Sequence, residues 1–210
     1  MLIHSSPYER TTALTDFFMG LLAGFIAARL STAIGFRYDV WTWAFGLLAF
    51  SSFLGAIAHG FEMTKLTNDR LWMPLNLSLG LALGLFVVGA LFDVAGEQTA
   101  RNALPIMLAL GFVFFLVTIW KPGSFLTFIA YEALAMLFAL GVYVYLFFTS
   151  ARNGAGWMLL GVLVTIIAAA VQATGKAGKG IIWYFDNNGV FHVIQMTGII
   201  FLYWGLLAGA

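Results

Sequence analysis

Two histidines, each near one end of a long apolar segment, are the residues of this chain best suited to chemistry. His59 lies at the close of the second apolar segment and His192 at the opening of the seventh. Glu62 follows His59 by three positions and Asn188 precedes His192 by four, and residues so spaced share one face of a helix. Two opposing helices therefore each offer a pair of polar groups. At the rise of an α-helix both rings lie about 6 Å inside the expected segment boundaries, at matching depth. Two imidazoles from different helices, with oxygen donors nearby, can hold a zinc ion that keeps one position open to water, as in a hydrolytic site. In that reading His59, His192 and Asn188 are the metal ligands, and Asp69 or Glu132 handles protons. The plainer alternative is that each histidine is a hydrogen-bonded structural group.

The elements that must position these groups follow from composition. Apolar residues make up 62% of the 210 positions and charged residues 9%, with a mean hydropathy of +0.96. Such a chain is an integral membrane protein and not a water-soluble globule. Crossing about 30 Å of hydrocarbon takes about 20 helical residues, and seven segments qualify: 12–35, 40–63, 71–93, 101–120, 124–148, 155–174 and 187–208. The expected fold is all-α, a polytopic seven-transmembrane-helix bundle forming one integral membrane domain over 1–210. Trp41, Trp43, Trp72, Trp120, Trp157 and Trp204 lie near segment ends, where amphipathic rings favour the headgroup layer. The stretch 175–187 is expected to hold an interfacial turn with Trp183 and Tyr184. Gly20 with Gly24, and Gly80 with Gly84, have the spacing of close helix contacts.

Threaded through a bilayer, the segments bring most strongly polar residues to the amino-terminal side: His59, Glu62, Asp69, Asn76, Glu132, Gln172, Asn188, His192 and Gln195. Ionisable groups at membrane depth are costly and belong to a site, a pathway or a buried pair. Glu132 lies deepest of these carboxyls, about 12 Å into its segment; it pairs with a polar partner, is protonated, or lines a wet cavity. Asp186 is placed to cap the last helix, and Asp69 with Arg70 reads equally well as a solvated loop pair. Arg29 and Asp93 approach the opposite boundary as interfacial or paired groups. Six Lys and Arg residues on the amino-terminal side face four on the other, which favours a cytoplasmic amino terminus. The first segment is expected to be a retained helix and not a signal peptide.

The chain has no cysteine, which excludes disulfides, thiolate metal ligands and cysteine nucleophiles. A net charge of +1 without a long basic run points away from nucleic acid. There is no phosphate-binding glycine loop and no dinucleotide fingerprint.

Asn188-Gly189-Val190-Phe191-His192 with Thr197-Gly198, and His59 followed ten residues on by Asp69, resemble the CREST superfamily of seven-span membrane proteins. That superfamily includes the alkaline ceramidases and the progestin and adiponectin receptors. The resemblance implies zinc held by His59 and His192, with Asp69 as the acidic residue, and hydrolysis of a lipid amide. Two family positions differ: Asn188 stands where the last span's first histidine belongs, and Gly55 where a serine belongs. Ser52 lies on a similar face to His59, two turns away.

Three functions are therefore expected as alternatives. One is a metal-dependent membrane amidase acting on lipid. The second is a non-catalytic relative that binds lipid or a membrane partner. The third, a small transporter or proton path, is opposed by the apolar stretches Leu79–Gly89 and Met158–Ala170.

Overall fold

Seven long helices make up the computed structural model of the protein, which describes residues 2–121, 125–176 and 178–209. They are α1 (Pro7–Leu30), α2 (Phe36–Gly60), α3 (Lys65–Ala95), α4 (Glu97–Trp120), α5 (Phe125–Phe148), α6 (Ala155–Thr174) and α7 (Asn187–Ala208). All seven are long and apolar enough to cross a membrane. The fold is the expected all-α seven-helix membrane bundle. Two short strands, β1 (Leu2–Ile3) and β2 (Phe61–Glu62), pair antiparallel with Leu2 opposite Glu62, tying the chain start to the end of α2.

Several helices run past the expected boundaries, each for a local reason. Proline occupies the first turn of α1, where its missing N–H costs nothing, so the helix begins at Pro7 instead of residue 12. Thr64 caps α3 by accepting from the Thr67 amide, which lets two polar turns precede the apolar run. Arg101 and Glu97 pair across one turn at 2.6 Å and start α4 ahead of residue 101. Gly96, at φ +82°, makes the break between α3 and α4 in a conformation that side chains disfavour.

The helices close into a ring. α1 packs on α2, α2 on α3, α3 on α5, α5 on α6, α6 on α7, and α7 back on α1. α4 lies outside, seated mainly on α3. Its contact is backbone to backbone: a Cβ at Gly80 would stand 2.7 Å from the Gly111 carbonyl oxygen, and one at Gly84 2.7 Å from that of Met107. Gly20 likewise admits the ring of Phe53, and Gly24 faces Ala49, so the paired glycines of α1 and α3 serve helix packing as their spacing implies.

At the end of the ring opposite the amino terminus a buried ionic cluster ties the helices together. Arg37 on α2 donates to Asp93 on α3 through Nε at 2.8 Å and Nη2 at 3.3 Å. Arg152 Nε stands 3.0 Å from the same carboxylate, and the Tyr143 hydroxyl on α5 donates to it at 3.1 Å. Arg37 Nη1 also donates to the carbonyl of Gly209 at 3.1 Å, holding the end of α7. The Asp93 side chain is fully enclosed. Asp93 is thus the paired group its position suggested, but its partners are Arg37 and Arg152, while Arg29 is exposed.

Removing one partner from a buried ion cluster leaves the others uncompensated. Asp93→Asn is therefore expected to lower stability by about 3–5 kcal/mol, read as thermal unfolding in detergent. The exposed Arg29→Gln should stay within about 0.5 kcal/mol.

Candidate functional site

The amino-terminal end of the ring is organised around one face of α1. Thr12, Thr15 and Asp16 are all buried and, at spacings of three and four, line up along the helix. Glu9, two turns before Asp16, continues the same face. This stripe meets α2 on one side and α7 on the other, and the two histidines come from those two helices.

His192 is held at both ring nitrogens. Nδ1 lies 3.0 Å from Thr15 Oγ1 and Nε2 3.3 Å from Asp16 Oδ1. The Thr15 hydroxyl itself donates to the Thr12 carbonyl at 2.9 Å, and the Asp16 carboxyl faces the other edge of the ring. His59 makes a separate pair, its Nδ1 2.6 Å from Glu9 Oε2, with the edge of Trp72 packed against the ring at 5.8 Å. Both imidazoles therefore lie at the same end of the bundle, as expected, but each is engaged by a carboxylate of α1.

Gly55 is the position that makes this possible. A Cβ there would stand 2.7 Å from Asp16 Oδ2. The room that a serine side chain would fill is occupied by the α1 carboxylate. The glycine is a requirement of packing and not a vacant functional position.

Asp186 closes the seam between α1 and α7. Its Oδ1 accepts from the Asn188 and Gly189 amides at 3.1 and 3.2 Å and from Thr12 Oγ1 at 3.4 Å. Its Oδ2 accepts from the Gly178 amide at 2.8 Å. It is the helix cap that its sequence position indicates, with a tertiary role added. Outside the spans, hydrogen bonds from Ser5 hold the Glu62 carboxyl below the usual carboxylate range, so Glu62 braces the β1–β2 pairing and does not join His59.

The other predicted site residues lie elsewhere. Asp69 is exposed and pairs with Lys65 at 2.6 Å, a solvated pair with Lys65 in place of Arg70. The Asn188 amide oxygen accepts from Gln172 Nε2 at 3.3 Å, linking α7 to α6 and turning away from the histidines. Glu132 is buried on α5, which packs mainly on α6 and α3.

The zinc arrangement implied by the resemblance does not fit these residues. His192 faces Thr15 and Asp16, His59 faces Glu9, Asn188 is bound to Gln172, and Asp69 stands in solvent. Among the described residues, no three His, Cys, Asp or Glu side chains gather closely enough to hold a metal ion. The arrangement can share and relay protons between imidazole, hydroxyl and carboxylate, and it fixes α1 against α2 and α7.

The residues missed by sequence reasoning are Glu9, Thr12, Thr15 and Asp16. The signal was available: Asp16 is a carboxylate nine residues inside an apolar helix, and such a group demands partners.

A model for a family of unknown function, DUF6962, matches residues 11–210. The chain belongs to that family. The match takes in the α1 stripe from Thr11 and the whole of α2 to α7. No curated protein and no solved structure matches the chain.

Because Asp16 Oδ1 is committed to His192, the carboxylate has little freedom to retreat from a new side chain at residue 55. Gly55→Ala is expected to cost about 1–3 kcal/mol in unfolding measurements. In an Asp16→Ala background the same change should cost less, with a coupling of at least about 0.5 kcal/mol in the double-mutant cycle.

Proposed function

We propose that the protein binds, within its helical ring, an amphiphile whose head carries N–H or O–H donors, as a non-catalytic relative of the lipid hydrolases it resembles. The observation that carries this reading is Glu132. It lies on the core-facing stripe of α5 with Ala135, Met136, Ala139, Val142 and Tyr143, and its Oε2 is buried with no hydrogen-bond partner among the described residues. A buried polar atom left unsatisfied costs about 1–3 kcal/mol, more when charged, so its place in the core calls for a partner from outside the chain.

Two further unpartnered atoms share its level. Ser52 Oγ on α2 and Gln195 Oε1 on α7 are buried without partners among the described residues. Counting helical rise from the amino-terminal-side ends, Glu132, Ser52 and Gln195 lie about 10–12 Å deep. A carboxylate, an amide carbonyl and a hydroxyl at one depth favour a ligand that donates hydrogen bonds. The apolar core that includes Met19, Met136 and Ile199 suits its hydrocarbon part.

The Asp93 cluster and the apolar core between the two ends favour a blind-ended site over a through path. In this reading the amino-terminal side, with its excess of Lys and Arg, faces the cytoplasm. Zinc hydrolysis is disfavoured because the histidines are committed to α1.

The test uses the purified protein in nanodiscs with fluorescently tagged long-chain amine, alcohol and carboxylic acid of equal length. The amine or alcohol is expected to bind saturably and about tenfold or more tighter than the acid, and Glu132→Leu should remove about 1.4 kcal/mol or more of that affinity. Absence of saturable binding, preference for the acid, or indifference to Glu132→Leu would overturn the proposal. Stoichiometric zinc together with amide hydrolysis would restore the hydrolase.

A further inference from the structure

The connection between α6 and α7 folds into a small hairpin whose tip has no intramolecular purpose in the core. Ile181 N donates to Phe185 O at 2.8 Å and Phe185 N to Ile182 O at 2.9 Å. At the tip, Trp183 takes a left-handed conformation with φ +49°, one that bulky residues avoid unless their surroundings impose it. The result is outward display: Ile181, Ile182, Trp183 and Tyr184 are all exposed, Trp183 at 86%.

The hairpin does not stand up into water. The Thr11 hydroxyl donates to the Tyr184 carbonyl at 2.6 Å, and Thr11 lies about 6 Å along α1 from its start. Tyr8 packs edge-on against Tyr184 at 6.4 Å, and Gly180 lies close against the Tyr8 ring. The tip is thus held beside the first turns of a helix long and apolar enough to cross a membrane. Tryptophan and tyrosine favour the headgroup layer.

Charge completes the pattern. Lys176 precedes the hairpin and Lys179 lies at its start; both are exposed and make no ion pair among the described residues. The acidic groups of that side are already engaged: Glu9 by His59, Glu62 by Ser5, Asp69 by Lys65, and Asp186 within the cap. Two free ammonium groups beside an apolar, aromatic tip fit negatively charged headgroups with their chains.

We propose that the hairpin of residues 178–185 is a recognition surface for anionic phospholipid in the amino-terminal-side leaflet. Ile181, Ile182, Trp183 and Tyr184 enter the headgroup boundary, and Lys176 and Lys179 select the charge. This surface is separate from the interior level of Glu132, and it stands whether or not an amphiphile binds there.

The chain has no cysteine, so Trp183→Cys, or Ile181→Cys where the first variant misfolds, gives a single labelling position. An environment-sensitive fluorophore is attached there, and the full chain is placed in nanodiscs of phosphatidylcholine with a minority of phosphatidylglycerol. The expected result is strong quenching by lipids bearing a nitroxide near the headgroup and weak quenching by aqueous iodide. Nitroxide-bearing phosphatidylglycerol should outcompete the phosphatidylcholine analogue by roughly fivefold per lysine, and the ratio should fall toward one in a Lys176→Gln, Lys179→Gln variant. Dominant iodide quenching, protection from both quenchers as under a protein partner, or a lipid ratio indifferent to the lysines would each overturn the proposal.

Discussion

A carboxylate nine residues inside a membrane helix has to be matched, and Asp16 sets the terms for everything around it. Hydrocarbon offers no solvation, so the group needs a donor within reach. His192 Nε2 stands 3.3 Å from it on α7, Thr15, the preceding residue of α1, contacts the same ring, and Gly55 withholds a side chain so that the carboxylate has room. Three helices are thereby fixed in rotation by one acid. The same seam is continued by Thr12 on Asp186 and Thr11 on the Tyr184 carbonyl, so the ring closes along a polar line between α1 and α7.

That closure is instructive because lipid gives helices little hydrophobic reason to associate. In a membrane, association rests on close packing and on polar contacts between helices. Here both act. Glycine contacts bring α1 to α2 and α3 to α4, where backbones approach closely. Polar clusters act at the two ends of the ring, Asp16 with His192 at one and Asp93 with Arg37 and Arg152 at the other. Between them lies an apolar core around Ile26, Trp41, Ala139 and Ile199. Packing sets how near the helices stand, and the buried charges set how they are turned.

The division explains what the sequence could reveal. Span number, the side on which polar groups gather, the Asp186 cap and the glycine contacts are properties of single segments, and hydropathy, rise and spacing recover them. Pairing is not such a property. His59 and His192 were correctly placed at one end, yet nothing in their own segments says that Glu9 and Asp16 of α1 would take them. Asn188 occupies the face expected of it, but that face meets Gln172. Asp93 was recognisable as a group needing a partner, and the choice of Arg37 over Arg29 depends on how α1, α2 and α3 are rotated. Rotation is a result of assembly, so it has no local signature.

The case of Gly55 carries this further. Compared with a motif that has a serine there, the glycine looks like a lost function. Seen against Asp16, it is half of an exchange in which a carboxylate on one helix takes the space given up on another. The exchange also changes what that end of the bundle can accept. Two imidazoles there already face two carboxylates of α1. Deeper in the ring, Glu132, Ser52 and Gln195 have buried atoms without partners among the described residues. Since recognition is driven by groups whose needs the fold leaves open, the proposed binding rests on that level and not on the histidines that first draw the eye.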